Sequence, residues 1–203
     1  PAIALAQLIK EMSYMLEVAQ RALDKAMDNF INRTEDEEPV RKDLREINFL
    51  SGKVTDYLIR LSEEDMSHND ELTVSSLYKV LSDIMRVADF SNNIMRYLRV
   101  AVANELYFSS EGLNEIKEMY SLVDELFKDV DYTFANRTTR LLAKIEDTES
   151  KTDKFKLQLQ QNHLDRLKGG NCKSESSSLY VNLIGNIERV ADHLVYIAQS
   201  VKE

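Results

Sequence analysis

Asn186-Ile187-Glu188-Arg189-Val190-Ala191-Asp192-His193-Leu194-Val195-Tyr196-Ile197-Ala198 decides the fold. With about 100° per residue and Glu188 at zero, Leu183, Ile187, Val190, Leu194, Ile197 and Val201 fall between about 180° and 260°. That is one apolar stripe on a helix. Glu188 and Asp192 share the opposite side, at about 0° and 40°. A related stretch lies earlier in the chain: Ile84-Met85-Arg86-Val87-Ala88-Asp89 aligns with Ile187-Glu188-Arg189-Val190-Ala191-Asp192 at an offset of 103 residues. Further upstream, Glu11-Met12-x-x-Met15-x-x-Val18-Ala19 aligns with Glu115-Ile116-x-x-Met119-x-x-Leu122-Val123 at an offset of 104. Generic heptads can mimic the second match, but not the shared Arg-Val-Ala-Asp of the first. The chain reads as an internal duplication, with units at 1–104 and 105–203.

Helical stripes fill the rest. They run through Leu5, Leu8, Met12 and Met15, through Val40, Leu44, Ile47 and Leu50, through Leu77, Leu81, Ile84 and Val87, and through Leu113, Ile116, Met119 and Leu122. The polar stretch Asn32–Glu38, closed by Pro39, separates the first two. Ser67-His68-Asn69-Asp70 reads as a loop with an N-cap. The fifth helix is expected from about Asn136 to Lys168, ended by Gly169-Gly170-Asn171, and the sixth from about Ser177 onward. Helix 2 aligns with helix 5 only at a provisional offset of 105. The expected fold is all-α, two tandem three-helix bundles. Met12, Met15, Met27, Met85 and Met95 fall at helical spacing and are expected to fill core gaps.

Composition agrees. Gly plus Pro is 7 of 203 residues, far below the usual share of about 12%, which disfavours turn-rich β folds. With 26 basic and 35 acidic residues the net charge is −9, which argues against a nucleic-acid partner. The single cysteine, Cys172, cannot form an intrachain disulfide and reads as a thiol in a reducing compartment. The longest uncharged stretch, Ser176 to Ile187, has 12 residues, short of the roughly 20 that span a bilayer.

The Glu188–Ala198 stretch resembles the signature helix of the PhoU family: Glu-Arg, an apolar and a small residue, then Asp-His, with Tyr196 where the family often has Asn. Arg86–Ile94 is similar but lacks the Glu and the His. His163-Leu164-x-Arg166-Leu167-Lys168-Gly169-Gly170-x-Cys172 and the opening Pro1-Ala2-Ile3-Ala4-Leu5 resemble one branch, the PhoU-like domain appended to bacterial sodium/phosphate cotransporters. The resemblance implies a non-enzymatic regulatory or accessory role in phosphate uptake, as the cytoplasmic domain of such a cotransporter. It implies a place at the inner face of the membrane and a membrane phosphate transporter as partner, in cis or as a separate protein. The alternatives are a free-standing PhoU regulator of a phosphate ABC transporter and its sensor kinase, acting as a homodimer or otherwise, or a metal-binding carboxylate bundle.

The candidate site is acidic. Glu188 and Asp192, four apart, repel unless a cation offsets them. Glu149 and Asp153 have the same spacing on helix 5, and Glu149 stands where an apolar residue is expected. Some PhoU relatives carry iron or zinc clusters on such pairs, so the resemblance implies a divalent or ferric ion here. The plainer reading is a solvated acidic face balanced by Arg189, Lys151 and Lys154. In the first unit the counterparts are Met85, Asp89, Leu44 and Asn48, so Asp89 stands alone there. Arg86 and Arg189 read as ion pairs across the bundle or as contacts to an anion or a partner. His193 and His163 read as partly buried histidines bonded to neighbours. No Glu-x-x-His, Gly-rich phosphate loop or nucleophile signature points to catalysis.

Overall fold

A computed structural model describes residues 1–202; Glu203, the last residue of the second unit, lies outside the described residues. Six helices follow in order: α1 (Ala2–Asn32), α2 (Glu38–Ser62), α3 (His68–Ala103), α4 (Ser110–Asn136), α5 (Leu142–Lys168) and α6 (Ser174–Gln199). A short 3₁₀ turn, Ser200–Lys202, continues α6, and no strand occurs among the described residues. α1, α2 and α3 pack on one another, as do α4, α5 and α6. The two bundles join through α3 against α6 and α1 against α4. α2 and α5 are the outer helices.

The boundaries have local causes. Ser67 and Ser109 cap α3 and α4, accepting from the amides of Asp70 and Gly112 at 3.2 and 3.0 Å. Pro39 lies in the first turn of α2, where a missing N–H costs nothing. Gly170, at φ 74°, turns the chain out of α5. The fifth helix, however, does not begin near Asn136. α4 runs to Asn136, and α5 starts at Leu142. Arg137, at φ 50°, ends α4 in the left-handed region. Arg33, at φ 55°, ends α1 the same way. The two tripeptides, Asn32-Arg33-Thr34 and Asn136-Arg137-Thr138, repeat at an offset of 104.

The apolar stripes form the core: Ile187 and Val190 are 2% and 1% exposed. Met12, Met15, Met27 and Met95 are buried, while Met85 is half-buried. At the offset of 105, Val40, Asp43, Ile47, Val54 and Leu58 map onto Ile145, Thr148, Thr152, Leu159 and His163, all of them buried. α2 and α5 therefore present the same face inward.

α3 and α6 cross antiparallel. Asn93 donates to Asn186 at 3.0 Å near one end, and His193 meets Asp83 at 2.8 Å near the other. Phe90 and His193, equivalent in the duplication, face each other with ring centroids 6.0 Å apart. An equivalent pair in contact marks a pseudo-two-fold axis between the bundles.

Candidate functional site

The outer face of the second bundle carries the acidic pairs. Residues four apart on a helix lie one above the other, so α5 offers Glu149 and Asp153 as one pair and α6 offers Glu188 and Asp192 as another. Packing of α5 on α6 brings them together. One carboxylate oxygen each from Glu149, Asp153 and Asp192 lies within 4.8 Å of the others. Glu149 and Asp192 are half-buried, and Asp153 is exposed. Glu188 borders this trio and is held by Lys156, whose Nζ lies 3.4 Å from its Oε2.

Electrostatics make the trio a poor place for three free negative charges. Burial, then the charge of Asp153, holds the Glu149 carboxyl above its usual range. Burial, then contact with Glu188, does the same for Asp153. Burial, then contact with Glu149, raises Asp192. Protons or a cation relieve this strain.

The donor set fits a cation. Oxygens bound to one ion at about 2.0–2.6 Å are at most about 5 Å apart, a limit the trio meets. All-carboxylate donors favour hard or borderline ions. Glu149, Asp153 and Asp192 would hold it, with Glu188 adjacent. The ion would supply charge neutralisation and a tie between α5 and α6.

The remaining sequence candidates are scattered. Asp89 is exposed, and at the offset of 105 Leu44 and Asn48 occupy the sequence positions of Glu149 and Asp153. Arg86 and Arg189 are both exposed and take part in no ion pair among the described residues. The expected pairing across the bundle is absent because both point to solvent, off the apolar stripe. His193 bridges to Asp83 of α3 and stacks edge-on against Tyr196. His163 is buried, hydrogen-bonded to Ser177 Oγ and stacked on Tyr180 at 4.7 Å. Burial, then the nearby Arg166 charge, lowers its basicity.

Sequence reasoning passed over Lys156, the counter-charge to Glu188. It also passed over a second acidic group, between the bundles. There Tyr120 of α4 donates to Asp24 of α1. Burial, then the neighbouring Asp24, pushes Asp124 up to about 6. Antiparallel packing of α1 on α4 builds this group. Only the paired helices, not spacing within either one, could reveal it.

The family model for the PhoU domain matches twice, over residues 12–98 and 116–201, once inside each half of the duplication. The chain belongs to the PhoU family. A PhoU homologue of Thermotoga maritima, named as a phosphate-specific transport system accessory protein, is 24% identical over 96% of this chain and 84% of its own length. The YjbB proteins of Salmonella typhimurium and of Escherichia coli K12, provisionally named for inorganic phosphate export, are 22% and 24% identical over the whole chain. The chain spans 38% of the length of each YjbB protein. The crystal structure of PhoU from Pseudomonas aeruginosa superposes with a TM-score of 0.85 at 16% identity, covering 98% of this chain and 96% of that one. That likeness establishes the fold. No helix among the described residues is long and apolar enough to cross a membrane.

Proposed function

We propose that this chain is a non-enzymatic regulatory domain of phosphate transport, acting on a phosphate-transporting membrane protein from the cytoplasmic side. The observation that carries this reading is the pair of PhoU units. The whole-chain match to the YjbB proteins, in which the matched region is part of a longer protein, favours a transporter joined in cis. The sodium/phosphate cotransporter branch, read from the residues around Gly169 and from Pro1–Leu5, is one form of that arrangement. The Thermotoga relative, matched over most of its length, favours a second form, a separate accessory protein of a phosphate transport system; the family resemblance makes that system an ABC transporter coupled to a sensor kinase.

In this reading Glu149, Asp153 and Asp192, with Glu188 alongside, bind a divalent or ferric ion, iron or zinc first, and the ion fixes α5 on α6. Arg86 and Arg189, both exposed, are available to a partner, and His193 belongs to the joint between the bundles. The unfolded chain cannot hold the carboxylates together, so a bound ion stabilises the fold by mass action.

Two measurements test the reading. Added Mn²⁺, Fe²⁺ or Zn²⁺ is expected to raise the thermal midpoint of the wild type and of Asp89→Asn. The rise should be absent from the double variant Glu149→Gln, Asp192→Asn. Equal shifts in all three would remove the ion from this site. Radiolabelled phosphate flux is then measured in inverted vesicles from cells whose chromosomal copy lacks only the segment corresponding to residues 1–203, with and without added chain. A changed flux is expected, and unchanged flux at saturating protein would remove the transport role.

A further inference from the structure

The pseudo-two-fold axis between α3 and α6 provides an internal control. Any group placed on one side of it has a counterpart on the other, 103 residues away. On one side, Asn186 of α6 donates to the hydroxyl of Tyr97 at 2.8 Å and accepts from Asn93 at 3.0 Å. The Tyr97 ring fills the space beside α6 and is 9% exposed. On the other side, Asn186 corresponds to Asp83, Asn93 to Tyr196, and Tyr97 to Ser200. Serine has no ring. A cleft of about 450 Å³ opens there, lined by Asp83, Tyr196, Ser200, Ser76, Lys79 and Gln199, among others. That volume is in the range of small-ligand sites.

The lining is polar and partly unsatisfied. Ser76 is 2% exposed, and its hydroxyl has no hydrogen-bond partner. Its counterpart, Leu179, is an ordinary core residue. Asp83 uses Oδ1 on His193, which leaves Oδ2 as an acceptor. Tyr196, 54% exposed, leans edge-on against His193 and forms an aromatic wall. Lys79 is exposed and also lines the cleft.

We propose that this cleft takes a tyrosine side chain from a partner protein, seated where the Tyr97 ring lies in the half related by the pseudo-two-fold axis. The chemistry differs from that half in one respect. Asn186 donates to Tyr97, whereas a carboxylate can only accept. The incoming ring must therefore bring an O–H donor for Asp83, and a phenol does so. The cleft bridges α3 and α6, so an occupant contacts both bundles at their joint. The site is separate from the acidic trio on α5 and α6.

The test is ¹⁵N–¹H NMR titration of the full chain with N-acetyltyrosinamide. Shifts are expected at Asp83, Tyr196 and Gln199. N-acetylphenylalaninamide, which lacks the donor, should bind at least about tenfold more weakly, the worth of one hydrogen bond to a charged acceptor. Ser200→Tyr plugs the cleft with the residue of the symmetry-related half, and Asp83→Leu removes the acceptor for the phenol. Either variant, checked as folded by its thermal midpoint, should abolish the shifts. Tighter binding of p-cresol than of the blocked tyrosine would replace the protein partner with a small phenol and overturn the assignment. Absent shifts, equal binding of the phenylalanine analogue, or unchanged binding in both variants would also overturn it.

Discussion

Val190 and Glu188 stand two positions apart on α6 and meet different worlds. Val190 is 1% exposed in the core, whereas Glu188 is half-buried beside Lys156. Val190→Ala is expected to cost about 1–3 kcal/mol in urea unfolding, as a large-to-small core change. Glu188→Gln should cost far less, because an amide still accepts from Lys156 and relieves the adjacent carboxylates. Equal losses would contradict the placement of both residues. The wheel made this contrast legible, since it needs only a helix and a stripe. The partner of Glu188 was not legible, because Lys156 reaches it from another helix. Glu149 lay between these cases: its position on an otherwise apolar row signalled burial, and the expected contact of helices 5 and 6 put it near Asp192, but only the fold shows which three carboxylates meet.

Helix ends were less legible than helix faces. The α4–α5 break was expected several residues too early, near Asn136, because Arg137-Thr138-Thr139-Arg140 has neither Gly nor Pro, the usual punctuation. An arginine takes the left-handed position instead. Its counterpart shows how that conformation is held. Arg33 donates to the carbonyls of Leu106 and Ala101 at 2.7 and 3.1 Å and lies over the Tyr107 ring. Arg137 has a buried amino group with no partner, and burial lowers its basicity. Glycine relaxes the backbone at both positions by about 1 kcal/mol. Arg33→Gly also loses two hydrogen bonds from a charged group, so a net loss of about 1–3 kcal/mol is expected. Arg137→Gly loses none from that amino group and should be neutral or stabilising. Thermal midpoints of the two variants check this; matching losses would show that both arginines are held alike.

Across the whole molecule, the carboxyls divide into two groups with opposite pH behaviour. Burial raises Asp24, Asp124, Asp131, Glu149, Asp153 and Asp192. A raised native value means that stability is full below the unfolded carboxyl range and is lost as pH rises through the native one, up to about 6 for Asp124. Glu37 and Glu115 are lowered, against burial, by Arg41 and Arg99 and by Arg166, so their stability is lost as pH falls. Neutral, buried His163 likewise loses stability below its unfolded value near 6.5. Asp124, the one raised carboxyl placed at about 6, loses its contribution as pH rises between 5.5 and 8. Asp124→Asn should therefore gain thermal midpoint relative to the wild type on going from pH 5.5 to pH 8. A difference between the two proteins that does not change with pH would contradict this. None of it was readable from spacing, because each raised carboxyl owes its shift to burial against other helices.

The position of α5 has a kinetic consequence. Among the described residues its helix neighbours are α4 and α6, its sequence is the most polar of the six helices, and its buried set is short: Leu142, Ile145, Thr148, Thr152, Leu159 and His163. Such an element opens locally at lower free energy than the inner four helices. Its amides should be among the first to exchange with deuterium while α1, α3, α4 and α6 stay protected. Two members of the acidic trio are on α5 and one is on α6. An ion at the trio would therefore act as a latch, and added Mn²⁺ is expected to slow α5 exchange and leave the other helices unchanged.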